Sequence, residues 1–134
     1  MGQSCFTLEM AVRDYECDLQ GVVNNAVYQN YLEHARHEYL KAIGIDFAAL
    51  AAQGINLVVT RIEIDYKISL TSGDRFVVEV RPERISPVRI GFRQEIYRLP
   101  DRKEAVRALV VGTALNAKGR PQLPKELKEI LDRV

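Results

Sequence analysis

The chain has 134 residues, of which 47% are hydrophobic and 28% charged, and its formal net charge is +1. This size and composition predict one globular domain over residues 1–134, and no apolar run approaches the roughly 20 residues of a membrane-spanning helix. The opening residues MGQSCFTLEM lack the basic start and the apolar stretch of a secretion signal. We therefore predict a cytoplasmic protein, with an organelle stroma as the alternative location.

After a first short strand, the sequence predicts one long amphipathic helix from Asn25 to Ile43. Asn24 is a natural N-cap because its side chain can accept a hydrogen bond from a free amide of the first turn, and Gly44 supplies the C-terminal stop. The apolar side chains recur at 3.6 residues per turn and form one stripe: Tyr28, Tyr31, Leu32, Ala35, Tyr39, Ala42 and Ile43. Shorter helices are predicted over residues 46–53 and, with a proline at the start, over residues 124–134.

The remaining segments predict four further strands. Along residues 55–68 the apolar side chains change from odd-numbered to even-numbered positions. We therefore predict a β-bulge near Thr60, because one extra residue moves the following side chains to the opposite face of the strand. The other strands are predicted over residues 75–84, 88–98 and 104–117, and the last is predicted to be central because it is apolar on both faces. Turn residues between them are spaced for antiparallel hairpins. The order predicts an α+β domain whose antiparallel sheet packs one face on the helix.

Basic residues are concentrated in the second half of the chain. Residues 75–120 carry 11 Lys+Arg against 5 Asp+Glu, mostly as Arg75, Arg81, Arg84, Arg89, Arg93, Arg98, Arg102 and Arg107. Arginine suits phosphate binding, but charged side chains on the solvent face of a strand are equally typical. The excess therefore indicates a phosphorylated ligand, an acidic partner protein or a solvated surface. No sequence motif predicts a nucleotide, metal or nucleic-acid site.

The most specific motif lies at the head of the long helix and consists of Asp18-x-x-Gly21-Val22-Val23 followed by Asn25, Tyr28 and Tyr31. Together with its surroundings, VRDYECDLQGVVNNAVYQNYLEHARHEYL, it resembles the hotdog-fold thioesterases of the 4-hydroxybenzoyl-CoA thioesterase family. It is most similar to the acyl-lipid, or methylketone-pathway, thioesterases of plant plastids and cyanobacteria. The resemblance implies a five-stranded antiparallel sheet wrapped around one long helix, with a short C-terminal helix. It also implies a homodimer that packs into a homotetramer and needs no cofactor.

The resemblance implies that Asp18 is the general base or nucleophile of thioester hydrolysis and that the backbone N–H of Asn25 is the oxyanion donor. The residues agree with this, since Asp18 lies in a loop before a helix whose first amides carry partial positive charge. Gly21 allows a tight turn and a close approach of substrate. Gly21 and Val23 are assigned to substrate binding, as is Tyr28, for which a place in the core is the alternative. Asp18 has an alternative too, since aspartates often only turn a loop.

Four more residues are assigned as substrate contacts. Arg36 borders the apolar stripe and aligns with a functional arginine of the enediyne-pathway thioesterases. Thr60, at the predicted bulge, is either a substrate contact or an ordinary strand threonine. The benzoyl-CoA enzyme carries an Arg-Arg-Lys run where this chain has Ser86-Pro87-Val88. That difference weakens the prediction that coenzyme A is the carrier. It leaves Arg84 and Arg89 as the predicted phosphate contacts.

These features predict an enzyme that hydrolyses fatty acyl or β-ketoacyl thioesters of acyl carrier protein or coenzyme A. One alternative is an aromatic acyl-CoA thioesterase of the hydroxybenzoyl or dihydroxynaphthoyl type. A second is a non-catalytic acyl-thioester-binding module, which an Asp18 that points to solvent away from any tunnel would favour. A hotdog dehydratase is disfavoured because the sequence lacks the His-Phe-Pro type of motif. His34 and His37 lie three apart with no third ligand at a suitable spacing, so no metal site is predicted.

Overall fold

One antiparallel sheet packs on one long helix in the computed structural model, which describes residues 5–133. In chain order the elements are β1 (Phe6–Ala11), α1 (Asn25–Ala42), α2 (Phe47–Ala52), β2 (Asn56–Tyr66), β3 (Arg75–Ser86), β4 (Arg89–Leu99), β5 (Glu104–Leu115) and α3 (Lys125–Leu131). A 3-10 turn, Asp14–Glu16, lies between β1 and α1. The strand order is β1-β3-β4-β5-β2, with each neighbouring pair antiparallel. The α+β prediction is confirmed.

The start and end of α1 follow from local residues. The Asn24 side chain accepts a hydrogen bond from the Ala26 amide at 3.3 Å, which confirms the predicted N-cap. The helix ends at Ala42, and Gly44 follows with a φ of +97°, the left-handed conformation in which helices commonly end. Five residues of the predicted apolar stripe are buried in the core together with Leu40, namely Tyr28, Tyr31, Leu32, Ala35 and Tyr39. At the end of the stripe, Ile43 is half-buried and Ala42 is exposed.

The two short helices lie where the sequence predicts them. Asp46 caps α2 by accepting a hydrogen bond from the Ala49 amide at 3.0 Å. Pro124 directly precedes α3, whose apolar side is buried in the core. Val134, which the predicted closing helix includes, lies outside the described residues. Within the span from 5 to 133, no helix is both long enough and apolar enough to cross a bilayer.

The bulge predicted near the middle of β2 is confirmed. The register with β5 shifts between Val59 and Arg61, which leaves Thr60 as the extra residue. Gly112 lies on the opposite strand, where a side-chain carbon would come within 2.9 Å of the Val58 carbonyl oxygen. The bulged backbone therefore approaches β5 too closely for any residue with a side chain at this position.

β5 has hydrogen-bonded neighbours on both sides, β4 and β2, as its apolar faces predicted. It ends at Leu115, two residues earlier than expected, because the Asn116 side chain accepts hydrogen bonds from the Lys118 and Arg120 amides and turns the chain. β2 lies at one edge of the sheet. Its exposed large apolar side chains are Val59, Ile62 and Tyr66.

Candidate active site

Asp18 organises the loop between the 3-10 turn and α1. Its Oδ1 accepts hydrogen bonds from the Gln20 amide at 2.8 Å and the Val22 amide at 3.4 Å. Gly21 makes the turn with a φ of +80°, which glycine adopts without strain. Asp18 is exposed, and its Oδ2 has no hydrogen-bond partner among residues 5–133. One carboxylate oxygen therefore holds the loop, while the other is available to a water molecule or a substrate.

The backbone N–H of Asn25 is the first amide of α1. The Asn24 side chain caps the amide that follows, and the Asn24 carbonyl accepts a hydrogen bond from the Val27 amide at 2.9 Å. Within the described part of the chain, the Asn25 amide itself has no acceptor. An unpaired amide at a helix N-terminus carries partial positive charge, so it suits an oxygen that becomes negative during a reaction.

Val23 and Tyr28 connect the Asp18 loop to the rest of the fold. The Val23 amide donates to the Leu70 carbonyl at 2.9 Å, and the Leu70 amide donates to the Tyr28 hydroxyl oxygen, also at 2.9 Å. Both side chains are buried in the core, which is the alternative that the sequence left open for Tyr28. A contact of either residue with substrate stays a prediction.

A cavity of about 200 Å³ opens between the C-terminal half of α1, α2 and the sheet. Its lining is mostly apolar and includes Leu40, Phe47, Val59, Phe92 and Leu127. Concave, largely apolar sites with a few polar groups are typical of small-ligand binding. Neither Asp18 nor Asn25 is among the residues that line it.

Arg36 is a buried charged group in the wall of this cavity and is only 7% exposed. Its Nη1 donates to Gln94 Oε1 at 3.1 Å, and Gln94 Nε2 donates to the Leu32 carbonyl at 2.9 Å. Burial lowers the pKa of the guanidinium, and the charge of Glu33 partly opposes this effect. No carboxylate lies within ion-pair distance of Arg36 in residues 5–133. A buried cation whose side-chain partner is a neutral amide keeps N–H groups for a ligand oxygen.

The Asp18 loop and the cavity lie toward opposite ends of α1. A helical rise of 1.5 Å per residue places Arg36 about 16 Å along the axis from Asn25. The end of β2 is near the start of the helix, since the Tyr66 hydroxyl donates to the Asn25 carbonyl at 3.4 Å. Val59, seven positions earlier on β2, lines the cavity. In a single chain, Asp18 and the Asn25 amide are therefore separated from the cavity.

Most of the basic segment is neutralised within the chain. Seven of its nine arginines form ion pairs with a carboxylate, namely Arg75, Arg81, Arg84, Arg93, Arg98, Arg102 and Arg107. Arg84, a predicted phosphate contact, pairs with Asp132 at 3.0 Å. Arg89 and Arg120 are the two arginines of this segment that form no ion pair within residues 5–133. A solvated surface thus accounts for most of the excess, and Arg89 is the better candidate for a phosphate contact.

Thr60 and Arg89 lie together, on the outer face of the sheet. They border one open depression, which Arg61 and Ile85 also line. The Thr60 hydroxyl donates to the Val111 carbonyl at 3.2 Å, so the side chain is partly engaged by its own sheet. A role of Thr60 toward substrate stays a prediction.

Gln94 is a polar residue of the cavity region that sequence reasoning missed. It is fully buried, and it occupies the same face of β4 as Ile90, Phe92 and Ile96. A polar residue in the apolar phase of a strand is unusual, because burial is costly unless each polar group is hydrogen-bonded. A glutamine among the apolar residues of this strand is the sequence signal that could have identified Gln94. The sequence does not show that its partner is Arg36, which lies 58 residues away.

Comparisons with known proteins agree with the motif and the fold. The model of the thioesterase-like superfamily matches residues 12–131. The chloroplastic acyl-acyl carrier protein thioesterase ATL3 of Arabidopsis thaliana is 40% identical over 122 residues, 90% of this chain and 64% of ATL3. The chloroplastic acyl-acyl carrier protein thioesterase ATL2 of the same plant is 44% identical over 114 residues, 85% of this chain and 61% of ATL2. The chain thus spans less than two thirds of either relative.

A solved structure supports the predicted architecture. The crystal structure of Slr0204, a 1,4-dihydroxy-2-naphthoyl-CoA thioesterase from Synechocystis, superposes with a TM-score of 0.90 over 98% of both chains. The two sequences are only 19% identical, so this similarity concerns the fold. The expected hotdog arrangement, a five-stranded sheet around one long helix with a short C-terminal helix, is confirmed.

Proposed function

The chain belongs to the thioesterase-like superfamily, and from that membership we propose that it hydrolyses acyl thioesters to a free acid and a thiol. The observation that carries the proposal is the pair of available groups beside the head of α1: the Oδ2 of Asp18 and the N–H of Asn25. Thioester hydrolysis needs a base or nucleophile on one side of the carbonyl and a donor for the oxyanion on the other. These two groups supply both requirements from neighbouring positions.

The simpler mechanism uses Asp18 as a general base. The Asp18 carboxylate takes a proton from water as the water oxygen attacks the thioester carbon, and the Asn25 N–H holds the carbonyl oxygen as it becomes negative. The carbon–sulfur bond then breaks, and the sulfur leaves as a thiol after receiving that proton. In the covalent variant the Asp18 oxygen attacks directly, and water hydrolyses the resulting anhydride.

Two copies of the chain would unite the separated halves of the site. β2 is an edge strand with exposed Val59, Ile62 and Tyr66, and a bare edge of this kind favours pairing with another strand. Antiparallel pairing of two β2 strands about a two-fold axis at Arg61, the middle of the strand, sets Tyr66 opposite the partner's Asn56, next to Leu57, which lines the cavity. Because Tyr66 contacts the head of α1, the Asp18 loop of one copy then lies beside the cavity of the other.

This arrangement also accounts for the exposure of Asp18, which would otherwise favour a non-catalytic binding module. In the homodimer, each Asp18 faces the partner's pocket instead of bulk solvent. We further propose that two dimers pack into a homotetramer, as the resemblance implies. A cytoplasmic location stays a prediction, and the two plant relatives are chloroplastic proteins.

For the substrate, we propose a fatty acyl or β-ketoacyl group on acyl carrier protein or coenzyme A. The apolar cavity suits an alkyl chain, and the buried Arg36 guanidinium suits a keto oxygen on that chain. ATL2 and ATL3 are acyl-acyl carrier protein thioesterases. With seven of the nine arginines of its basic segment already paired with carboxylates, the chain offers little for the several phosphate groups of coenzyme A. We therefore propose acyl carrier protein as the preferred carrier.

The decisive assay offers saturated, 3-keto and aromatic acyl groups of graded length on both carriers and measures the thiol released. We expect hydrolysis of aliphatic thioesters by the wild type and almost none by Asp18→Asn. Preference for aromatic acyl-CoA would favour the hydroxybenzoyl or dihydroxynaphthoyl type of enzyme instead. Tight binding of every thioester without thiol release would identify a binding module.

A mixing experiment tests whether the site is shared between two chains. Asp18→Asn removes the proposed base, and Val59→Trp fills the cavity from the strand side. Co-refolded heterodimers of these two variants contain one intact site and one doubly damaged site, so part of the activity should return. Heterodimers of wild type with Asp18→Asn are the control for assembly. Verified mixed dimers that stay inactive, or a monomeric mass in solution, would reject the shared site.

A further inference from the structure

Glu16 is a buried carboxylate that the proposed chemistry does not use. It is 9% exposed and lies at the end of the 3-10 turn. Its Oε1 accepts hydrogen bonds from the Tyr31 hydroxyl at 2.7 Å and from the Arg13 amide at 2.8 Å. Its Oε2 forms an ion pair with the Arg13 side chain at 3.4 Å. Burying a carboxylate is costly unless it is fully hydrogen-bonded, so this arrangement requires a reason.

The position of Glu16 in the chain supplies the reason. Its backbone carbonyl accepts a hydrogen bond from the Asn24 amide at 3.1 Å, and the next residue, Cys17, pairs with Val23 in a β-bridge. The segment from 17 to 23 is thus a loop closed at its base by Glu16. Asp18 lies inside this loop, and Asn25 follows the residue that closes it. Whatever holds Glu16 in place therefore fixes Asp18 and the Asn25 amide relative to each other.

Tyr31 attaches Glu16 to the helix. It is 2% exposed, and its ring packs on Phe76 with centroids 4.7 Å apart and on the edge of Tyr28 at 6.1 Å. These contacts fix the ring, so the hydroxyl can occupy only a narrow range of positions. Burial, together with the hydrogen bond to Glu16, raises the pKa of the Tyr31 hydroxyl. The hydroxyl is therefore a permanent donor at neutral pH.

We propose that Glu16 and Tyr31 are positioning residues that hold the Asp18 carboxylate at a fixed distance from the Asn25 amide. The inference rests on the proposed function of those two groups, and neither Glu16 nor Tyr31 touches the substrate. The bond between them joins the loop to the helix at a point outside the site. Because misplacing a reacting group by about 1 Å can cost about 100-fold in rate, a single hydrogen bond of this kind has a measurable effect on turnover.

Conservative variants isolate the hydrogen bond from the packing. Tyr31→Phe keeps the ring and removes the donor, and we expect kcat to fall about 10-fold to 100-fold with KM changed less than about twofold. Glu16→Gln keeps an oxygen that accepts from Tyr31 and the Arg13 amide, so we expect kcat within about threefold of wild type. Tyr39→Phe is the matched control. It makes the same change on the same helix, at a buried tyrosine whose hydroxyl has no hydrogen bond among residues 5–133.

Two further measurements separate positioning from general stability. In an Asp18→Asn background, Tyr31→Phe should cause less than about a twofold further loss, because a residue that acts through Asp18 has no effect without it. Hydrogen exchange should show faster exchange of the Val22 and Asn24 amides in Tyr31→Phe and no change in Tyr39→Phe. An equal loss of kcat in both backgrounds would overturn the proposal, as would a loss matched by Tyr39→Phe.

The proposal and the underlying function fail in different ways. If the wild type releases no thiol from any thioester, or if Asp18→Asn is fully active, the proposed function fails. Amide exchange then still decides whether Tyr31 holds the loop. If Asp18→Asn is inactive while Tyr31→Phe keeps both wild-type kcat and slow exchange at Val22 and Asn24, the positioning role alone is overturned.

Discussion

The two ends of α1 carry opposite kinds of chemistry. At the N-terminal end, an exposed carboxylate and an unpaired amide stand beside a loop held by hydrogen bonds. Toward the C-terminal end, an apolar cavity encloses a buried guanidinium that pairs with a neutral amide. In the proposed chemistry, the groups of the first end polarise and attack a thioester. The cavity of the second end can enclose an acyl chain, but Asp18, the proposed base, is not among the residues that line it.

This difference indicates that one chain holds two half-sites rather than one site. A helix of this length keeps its ends too far apart for one substrate carbonyl to meet both, whereas the proposed two-fold axis across β2 would bring unlike ends together. Variants of the N-terminal end should therefore lower kcat, because we propose that those groups act in the transition state. Variants of the cavity end should alter substrate selection and KM.

The largest effect is expected at Asp18. Asp18→Asn should leave the fold intact, because the amide oxygen can still accept from the Gln20 and Val22 amides, but lower kcat by roughly 10² to 10⁴, the range for a positioned acid or base. Steady-state hydrolysis and the melting temperature are the measurements. Asp14→Asn, the same change in the same segment, is the control and should remain active. Wild-type turnover by Asp18→Asn would remove the N-terminal end from the chemistry.

An effect on selection, smaller than the loss at Asp18, is expected at Arg36. Arg36→Met keeps the length of the side chain and removes the charge, so kcat/KM for a 3-ketoacyl thioester should fall about 10-fold to 100-fold, the value of a hydrogen bond to a charged group. The saturated thioester of equal length should lose less than about threefold, since its alkyl chain offers Arg36 no acceptor. Equal losses on the two substrates would show that Arg36 supports the fold or the chemistry instead of selecting the chain.

The basic segment should show a weaker effect that distinguishes two arginines. Arg89→Ala should raise KM about threefold to tenfold at low salt with kcat unchanged, because a distant carrier contact binds ground and transition states alike. Arg84→Ala should raise KM less than about twofold, since Asp132 already neutralises Arg84. Added salt should reduce the difference. Equal KM values for both variants and the wild type would show that Arg89, like Arg84, is a solvated surface residue without a carrier contact.

Local signals explain why much of the fold was predictable. The 3.6-residue stripe and the Asn24 cap defined α1, and the change of phase around Thr60 located the bulge. Each signal lies within a few residues of the feature that it predicts. The motif likewise placed Asp18 in a tight turn before the helix, where Gly21 provides the left-handed backbone.

What could not be predicted depends on partners that are distant in sequence. Arg36 borders the apolar stripe on a helical projection, and only its bond to Gln94, 58 residues away, shows that it is buried. The ion pair of Arg84 with Asp132 bridges 48 residues, so composition alone could not separate it from Arg89. The distance between Asp18 and the cavity also depends on how the chain packs. Both lie near α1, and only the packed structure shows that they lie toward opposite ends of it.

The smallest effects are expected at the helix N-caps near the two ends of α1. Asn24 caps α1 beside the Asp18 loop, and Asp46 caps α2, which supplies Phe47 to the cavity. Asn24→Ala and Asp46→Ala should each lower the free energy of unfolding by about 1 kcal/mol, because each leaves one helix amide without its acceptor.

Their kinetics should differ: Asn24→Ala should lower kcat about twofold to fivefold by loosening the first turn that holds the Asn25 amide. Asp46→Ala should raise KM by a similar factor, since a looser α2 leaves the cavity less ordered before the acyl chain binds. Urea denaturation gives the stability of both variants, and steady-state kinetics on one thioester gives kcat and KM. If both variants change the same kinetic constant, the two ends of α1 do not divide chemistry from binding, and the half-site interpretation is wrong.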